Sequence, residues 1–139
     1  MTDMGVLEHF LNVRVTRSCS YIQLDQSVYT QKVLDTFSAH LGTVTKIRKC
    51  PLLSDTMEDQ RFVDNFPYRS MLGALLYLSM NTRPDISYAV GLLSRFGSKP
   101  TKVTCMLMVY LLQYIRGTVQ MGIRFSGSRF DMQVFTDAD

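Results

Sequence analysis

The segment FPYRSMLGALLYLSMNTRPDISYAVGLLSRF, residues 66–96, decides the fold class. From Tyr68 to Met80 it is apolar on nearly every face, the pattern of a helix covered on all sides. Asn65 stands where an N-terminal cap belongs, and Pro67 falls in the first turn, where a missing N–H costs little. The residues from Asn81 to Pro84 break this helix. Pro84 then opens a second one, with Asp85 in its first turn beside the positive end of the helix dipole. Its apolar stripe is Ile86, Ala89, Val90, Leu93 and Phe96. Arg95 and Lys99 sit near its other end, again in agreement with the dipole. Two consecutive apolar helices make the core helical.

Working downstream, GSKP (97–100) closes the second helix. A third runs from about Thr101 to Arg116 and stops at Gly117. No charged residue lies between Lys102 and Arg116, and Cys105 to Leu112 is continuously apolar. Such a helix needs cover on all sides, which predicts an exposed apolar patch and self-association of the isolated chain. Two strand candidates follow, MGIRFS (121–126) and MQVFTD (132–137), joined through GSRFD (127–131). Upstream, HFLNVRV (9–15) and YIQL (21–24) flank the polar TRSCS and read as a β-hairpin. Asp25 or Ser27 can cap a helix running to about Leu41, with Val33, Leu34, Phe37 and Leu41 on one face and Gly42 at its end. Residues 43–65 have few periodic apolar positions. Pro51 and the acidic SDTMEDQ (54–60) mark them as a linker. The expected fold is α+β and mostly helical, with a small β-hairpin on each side of a helical core.

Composition sets the outer bounds. A chain of 139 residues, 46% hydrophobic, is long enough to bury a core. The net charge of +3 permits a polyanionic partner without requiring one. Cys19, Cys50 and Cys105 are odd in number and far apart, with no Cys-x-x-Cys. This argues against zinc or a disulfide framework and points to a reducing, intracellular setting in cytoplasm or nucleus. The N-terminus has no basic leader followed by an apolar run, and the longest apolar tract is too short to cross a bilayer, so no membrane partner is expected.

Few residues point to chemistry. His9 and His40 are isolated, and the acidic cluster Asp55, Glu58 and Asp59 reads as a solvated loop. Serine-nucleophile and phosphate-loop signatures are absent. Two features remain. Arg83 flanks Pro84 at a helix–helix corner. It either caps or pairs locally, or lies exposed with Arg69, Lys99 and Lys102 on a surface that holds a phosphate backbone. The terminal TDAD places Asp137 and Asp139 after an apolar run. Such an Asp can bind Mg²⁺ or simply start a turn.

The segment 66–96, followed by Pro100 and Thr101, Tyr114, Gly117 and Thr118, and Thr136 to Asp139, resembles the C-terminal part of copia-type LTR retrotransposon Pol polyproteins. The matching positions include Tyr68, Arg69, Gly73, Leu75, Tyr77 and Leu78, then Thr82 to Ile86, then Leu93, Ser94 and Phe96. DMGVLEHFLNVRV and YIQLDQSVYTQKVL (3–15 and 21–34) extend the resemblance over essentially the whole chain. The chain departs from the pattern at Asn12, where the family has glycine, and at Thr104 and Cys105, where it has His-Trp. Met106, Met108 and Tyr110 are unusual on the same helix.

The resemblance implies a division of the chain. Residues 1–26 are the end of a reverse-transcriptase palm, where related enzymes grip the primer terminus. Residues 27–99 are a thumb-like helical region with the linker 43–65. Residues 100–130 are a connection, and 131–139 are the first strand of a truncated RNase H domain. Asp137 then matches that domain's first catalytic, metal-binding acid, with Mg²⁺ expected only in the full-length enzyme. The polymerase's paired carboxylates, in a Tyr-x-Asp-Asp turn, are absent, so no activity is expected of the chain alone. Expected partners are an RNA–DNA or DNA primer–template duplex, with Arg69, Arg83, Lys99 and Lys102 as contacts, and the missing palm and RNase H segments. Two other classes stand beside this one: a helical protein–protein interaction module from a degenerate retroelement, and a free-standing nuclease.

Overall fold

A computed structural model of the chain describes residues 7–42 and 57–127. The strands are β1 (His9–Phe10), β2 (Val13–Arg17), β3 (Tyr21–Asp25) and β4 (Gly122–Ser126). The helices are α1 (Ser27–Thr36), α2 (Ser38–Leu41), α3 (Met57–Asp64), α4 (Tyr68–Asn81), α5 (Ser87–Ser94) and α6 (Lys102–Gly117). A 3₁₀ turn at Pro84–Ile86 leads into α5. The fold is α+β and mostly helical. None of the described helices is long and apolar enough to cross a membrane.

The helices build the core around α6, which packs against α1, α2, α3 and α5. Met71, Leu75 and Leu78 of α4, Val90 of α5 and Cys105, Met108, Leu112 and Ile115 of α6 are fully shielded from solvent. The continuously apolar α6 is therefore covered by its own chain. Of its large apolar side chains only Leu107 and Tyr114 are exposed, so the broad apolar patch expected there is not found. Its start is well defined: Thr101 accepts from the Thr104 amide while the Thr104 side chain accepts from the Thr101 amide, a reciprocal cap.

Several boundaries differ from the sequence reading. The expected helix from Ser27 to Leu41 breaks at Phe37, whose ring is buried, giving α1 and α2. The expected linker contains α3. Val63 and the following Phe66 are buried in the core, and too few apolar residues surround them to give a readable period. Asn65 does not cap α4. Its side-chain amide donates to the Arg61 carbonyl and closes α3 instead. HFLNVRV is not one strand: Leu11 and Asn12 have φ of 48° and 62°, and they turn the chain so that Phe10 pairs with Val13.

The strands form one antiparallel sheet in the order β1-β2-β3-β4. MGIRFS thus returns to pair with the first hairpin, with Leu24 opposite Ile123 and Ile22 opposite Phe125. The MQVFTD strand of the expected second hairpin lies outside the described residues. Gly122 is required where β4 meets β3, because a Cβ there would stand 2.9 Å from the Asp25 Cβ and collide with the Leu24 carbonyl. Directly opposed residues share a face. Phe10, Val13, Val15, Ile22, Leu24, Ile123 and Phe125 therefore line one side, and Arg14, Gln23, Asp25 and Arg124 the other.

Candidate nucleic-acid interface

The corner after α4 is built around Arg83. Its guanidinium donates through Nε and Nη2 to the Asp85 carboxylate at 2.9 and 2.8 Å, and to the Thr118 carbonyl and hydroxyl at 3.0 and 2.7 Å. The Tyr114 hydroxyl donates to the same carboxylate at 3.0 Å, and the Tyr114 ring lies 5.7 Å from the guanidinium carbon. Arg83 is only 1% exposed. A planar fork saturated by internal acceptors has little left for a ligand. The expectation of an exposed Arg83 thus fails, and its local pairing with Asp85 is what the structure holds. Hydrogen bonds from Arg83 are the largest influence on the Asp85 carboxyl. With the Tyr114 hydroxyl they outweigh partial burial and keep it below the usual carboxylate range.

The other predicted cations sit at the far end of α4. A helix of 14 residues is about 21 Å long, so Arg69 and Arg83 belong to separate surfaces. Arg69 is exposed, and its Nε donates to the Gly97 carbonyl at 3.0 Å. Tyr68 beside it donates to the Leu93 carbonyl at 2.8 Å. These bonds fix α4 against the segment carrying Arg95, Lys99 and Lys102, all exposed. That segment, SRFGSKPTK (94–102), contains no acidic residue. Arg95 was not among the sequence-predicted contacts, although the acid-free run around it is visible in the sequence.

A second candidate surface lies under the β1–β2 turn. His9, Asn12, Arg14, Asp25 and the first residues of α1 line a cleft of about 270 Å³. Asp25 is fully buried and organises its floor. One carboxylate oxygen accepts the Ser27 amide and hydroxyl at 3.1 and 2.8 Å, at the start of α1; the other pairs with Arg14 at 3.0 Å. Burial pushes this carboxyl up, but the Ser27 and Arg14 interactions prevail and hold it below its ordinary range. Arg14 remains partly exposed, so a cation faces the cleft. The adjacent Gln26 accepts from the Thr82 hydroxyl at 2.9 Å, while its buried Nε2 has no hydrogen-bond partner among the described residues.

Asp137 lies outside the described residues. Among those described, no group of three or more His, Cys, Asp or Glu side chains could hold a metal ion, so no Mg²⁺ chemistry can be derived from them. Thr104 and Cys105 serve structure: Thr104 closes the α6 cap, and burial pushes the Cys105 thiol up to about 11.

The whole chain is 33% identical to a stretch of a retrovirus-related Pol polyprotein from a Nicotiana tabacum transposon, covering 11% of that protein. A transposon Pol polyprotein of Arabidopsis thaliana is 32% identical over 99% of the chain and 9% of its own length. Along its whole length the chain is related to copia-type retrotransposon Pol polyproteins. It spans about a tenth of the length of these Pol polyproteins. An uncharacterized mitochondrial protein of Arabidopsis thaliana is 31% identical over the whole chain and 58% of its own length. No family model and no solved structure matches. In this chain the residues that carried the resemblance largely bind one another. Tyr68 and Arg69 reach Leu93 and Gly97, while Arg83 and Asp85 reach Thr118 and Tyr114.

Proposed function

We propose that the chain is a non-catalytic part of a reverse transcriptase, the RNA-directed DNA polymerase of a retrotransposon, and that it supports primer–template binding. The observation that carries this reading is the exposed corner of Arg69, Arg95, Lys99 and Lys102, whose segment 94–102 has no acid, in a chain homologous to Pol polyproteins. Such a corner meets the phosphates of a duplex without reading its sequence. In this reading residues 1–26 end the palm, 27–99 form the thumb, and 100–130 form the connection, whose β4 returns to the palm sheet. Asp137 belongs to an RNase H domain whose other acids lie elsewhere, and the chain alone catalyses neither synthesis nor RNA cleavage.

The test is titration of a fluorescent RNA–DNA duplex at several salt concentrations. The logarithm of the binding constant should fall linearly with the logarithm of salt. Lys99→Ala and Arg69→Ala should each reduce the slope by about one unit. Absence of binding, or binding indifferent to salt, would overturn the reading. A second reading, an interaction module, is favoured by the apolar sheet face, where Phe10, Ile22 and Phe125 are 59%, 42% and 55% exposed. Under it the chain associates with itself or a protein partner in a salt-insensitive manner, which sedimentation over a range of concentrations would reveal.

A further inference from the structure

The turn at Leu11 and Asn12 is built against its local preference. A two-residue hairpin loop with positive φ at both positions suits Asn-Gly or Asp-Gly. Here the tolerant residue comes second, and leucine, which rarely adopts the left-handed region, comes first. The Leu11 side chain is 67% exposed, so burial does not explain its conformation. A contact from outside the loop does. The Tyr77 hydroxyl of α4 donates a short hydrogen bond to the Leu11 carbonyl, across 66 positions of sequence. The Tyr77 ring is itself held edge-on by Tyr29 of α1, with ring centroids 5.1 Å apart at 72°.

We propose that Tyr77 is a positioning residue: its hydroxyl selects the left-handed turn and fixes the turn over the start of α1, and so sets the mouth of the cleft lined by Arg14 and Asn12. The consequence for nucleic acid rests on the reading given above, whereas the conformational role stands apart from it. Tyr77 and Arg69 lie eight residues apart on one helix, about 12 Å along its axis. The strut therefore holds the hairpin turn and the basic corner at a fixed separation, and a duplex touching both must match that span.

Tyr77→Phe tests this, because it removes the hydroxyl and keeps the ring against Tyr29. The Cα–Hα couplings of Leu11 and Asn12, which report the sign of φ, should lose their left-handed values, while resonances of α4 and α6 core residues stay in place. Duplex affinity should fall by about threefold to tenfold, the range for one neutral hydrogen bond, with the salt slope unchanged because no phosphate contact is lost. Adding Leu11→Asn and Asn12→Gly to the same variant supplies a loop that favours this turn by itself, and should restore both couplings and affinity. Unchanged couplings in Tyr77→Phe would overturn the proposal. Altered couplings with undiminished affinity would overturn its positioning role. If the unaltered chain does not bind duplex, the nucleic-acid reading fails, and the couplings alone decide whether Tyr77 holds the turn.

Discussion

The closed core draws its apolar side chains from the helices and the short joints between them, whereas the sheet keeps its apolar residues on a half-open face. The helical unit behaves like a domain interior, with Leu75, Met108 and Leu112 sealed from water. In the sheet only Asp25 is fully buried, and it is held by hydrogen bonds and an ion pair. Stability should therefore reside mainly in the helices. The sheet depends on strand pairing and on polar ties such as Arg14 to Asp25 and Tyr77 to Leu11.

The sharpest way to break that contrast is Leu75→Ala. Removing a fully buried leucine side chain should cost about 2–5 kcal/mol, read as a shift of the urea midpoint. A cost below 1 kcal/mol would mean that the helical interior is far looser than its burial suggests.

Arg83→Met comes next. It removes the donors that serve Asp85 and Thr118 and should cost about 2 kcal/mol at neutral pH. The sign with pH is fixed by the depressed Asp85 carboxyl. Its contribution is fully present above the unfolded value of about 4 and is lost as pH falls through the folded value. The stability gap between the unaltered chain and the variant should therefore narrow below about pH 4. A constant gap from pH 7 to pH 3 would show that Asp85 is not the partner that matters.

Gly122→Ala should have the smallest effect on the helical unit, because local opening of the sheet relieves the clash. The new Cβ would push β4 away from Leu24 and Asp25. Hydrogen exchange should quicken at the amides pairing β3 with β4 and stay slow in α4 and α6. Equal acceleration in the helices would show that sheet and helical unit unfold together.

The helical unit was largely legible because Tyr68 to Met80 and Cys105 to Leu112 state their burial in composition alone. α3 was hidden: among the described residues, Val63 and the flanking phenylalanines anchor an otherwise polar stretch to the core. The break at Phe37 and the turn at Leu11 and Asn12 were hidden for another reason: Phe37 is buried in the core and Leu11 is bonded by Tyr77, and local propensity reports neither. The candidate site divided in the same way. Arg69, Lys99 and Lys102 are exposed, and Arg69 reaches the Gly97 carbonyl. The two readings of Arg83 could not be separated from the sequence, which does not show Thr118 and Tyr114 folding back onto it.

The pairing of Leu24 with Ile123 also bears on the order in which the molecule forms. The β1–β2–β3 meander is local and can close quickly, and so can the successive helices. The β3–β4 ladder joins residues 97 to 105 positions apart and pays the loop-closure entropy of everything between them. Docking α1 and α6 in the core brings the end of β3 and the start of β4 together before they pair. During synthesis, the outer edge of β3 therefore stays open until the last part of the described chain has emerged. For that interval it is an unprotected strand edge able to recruit a foreign strand.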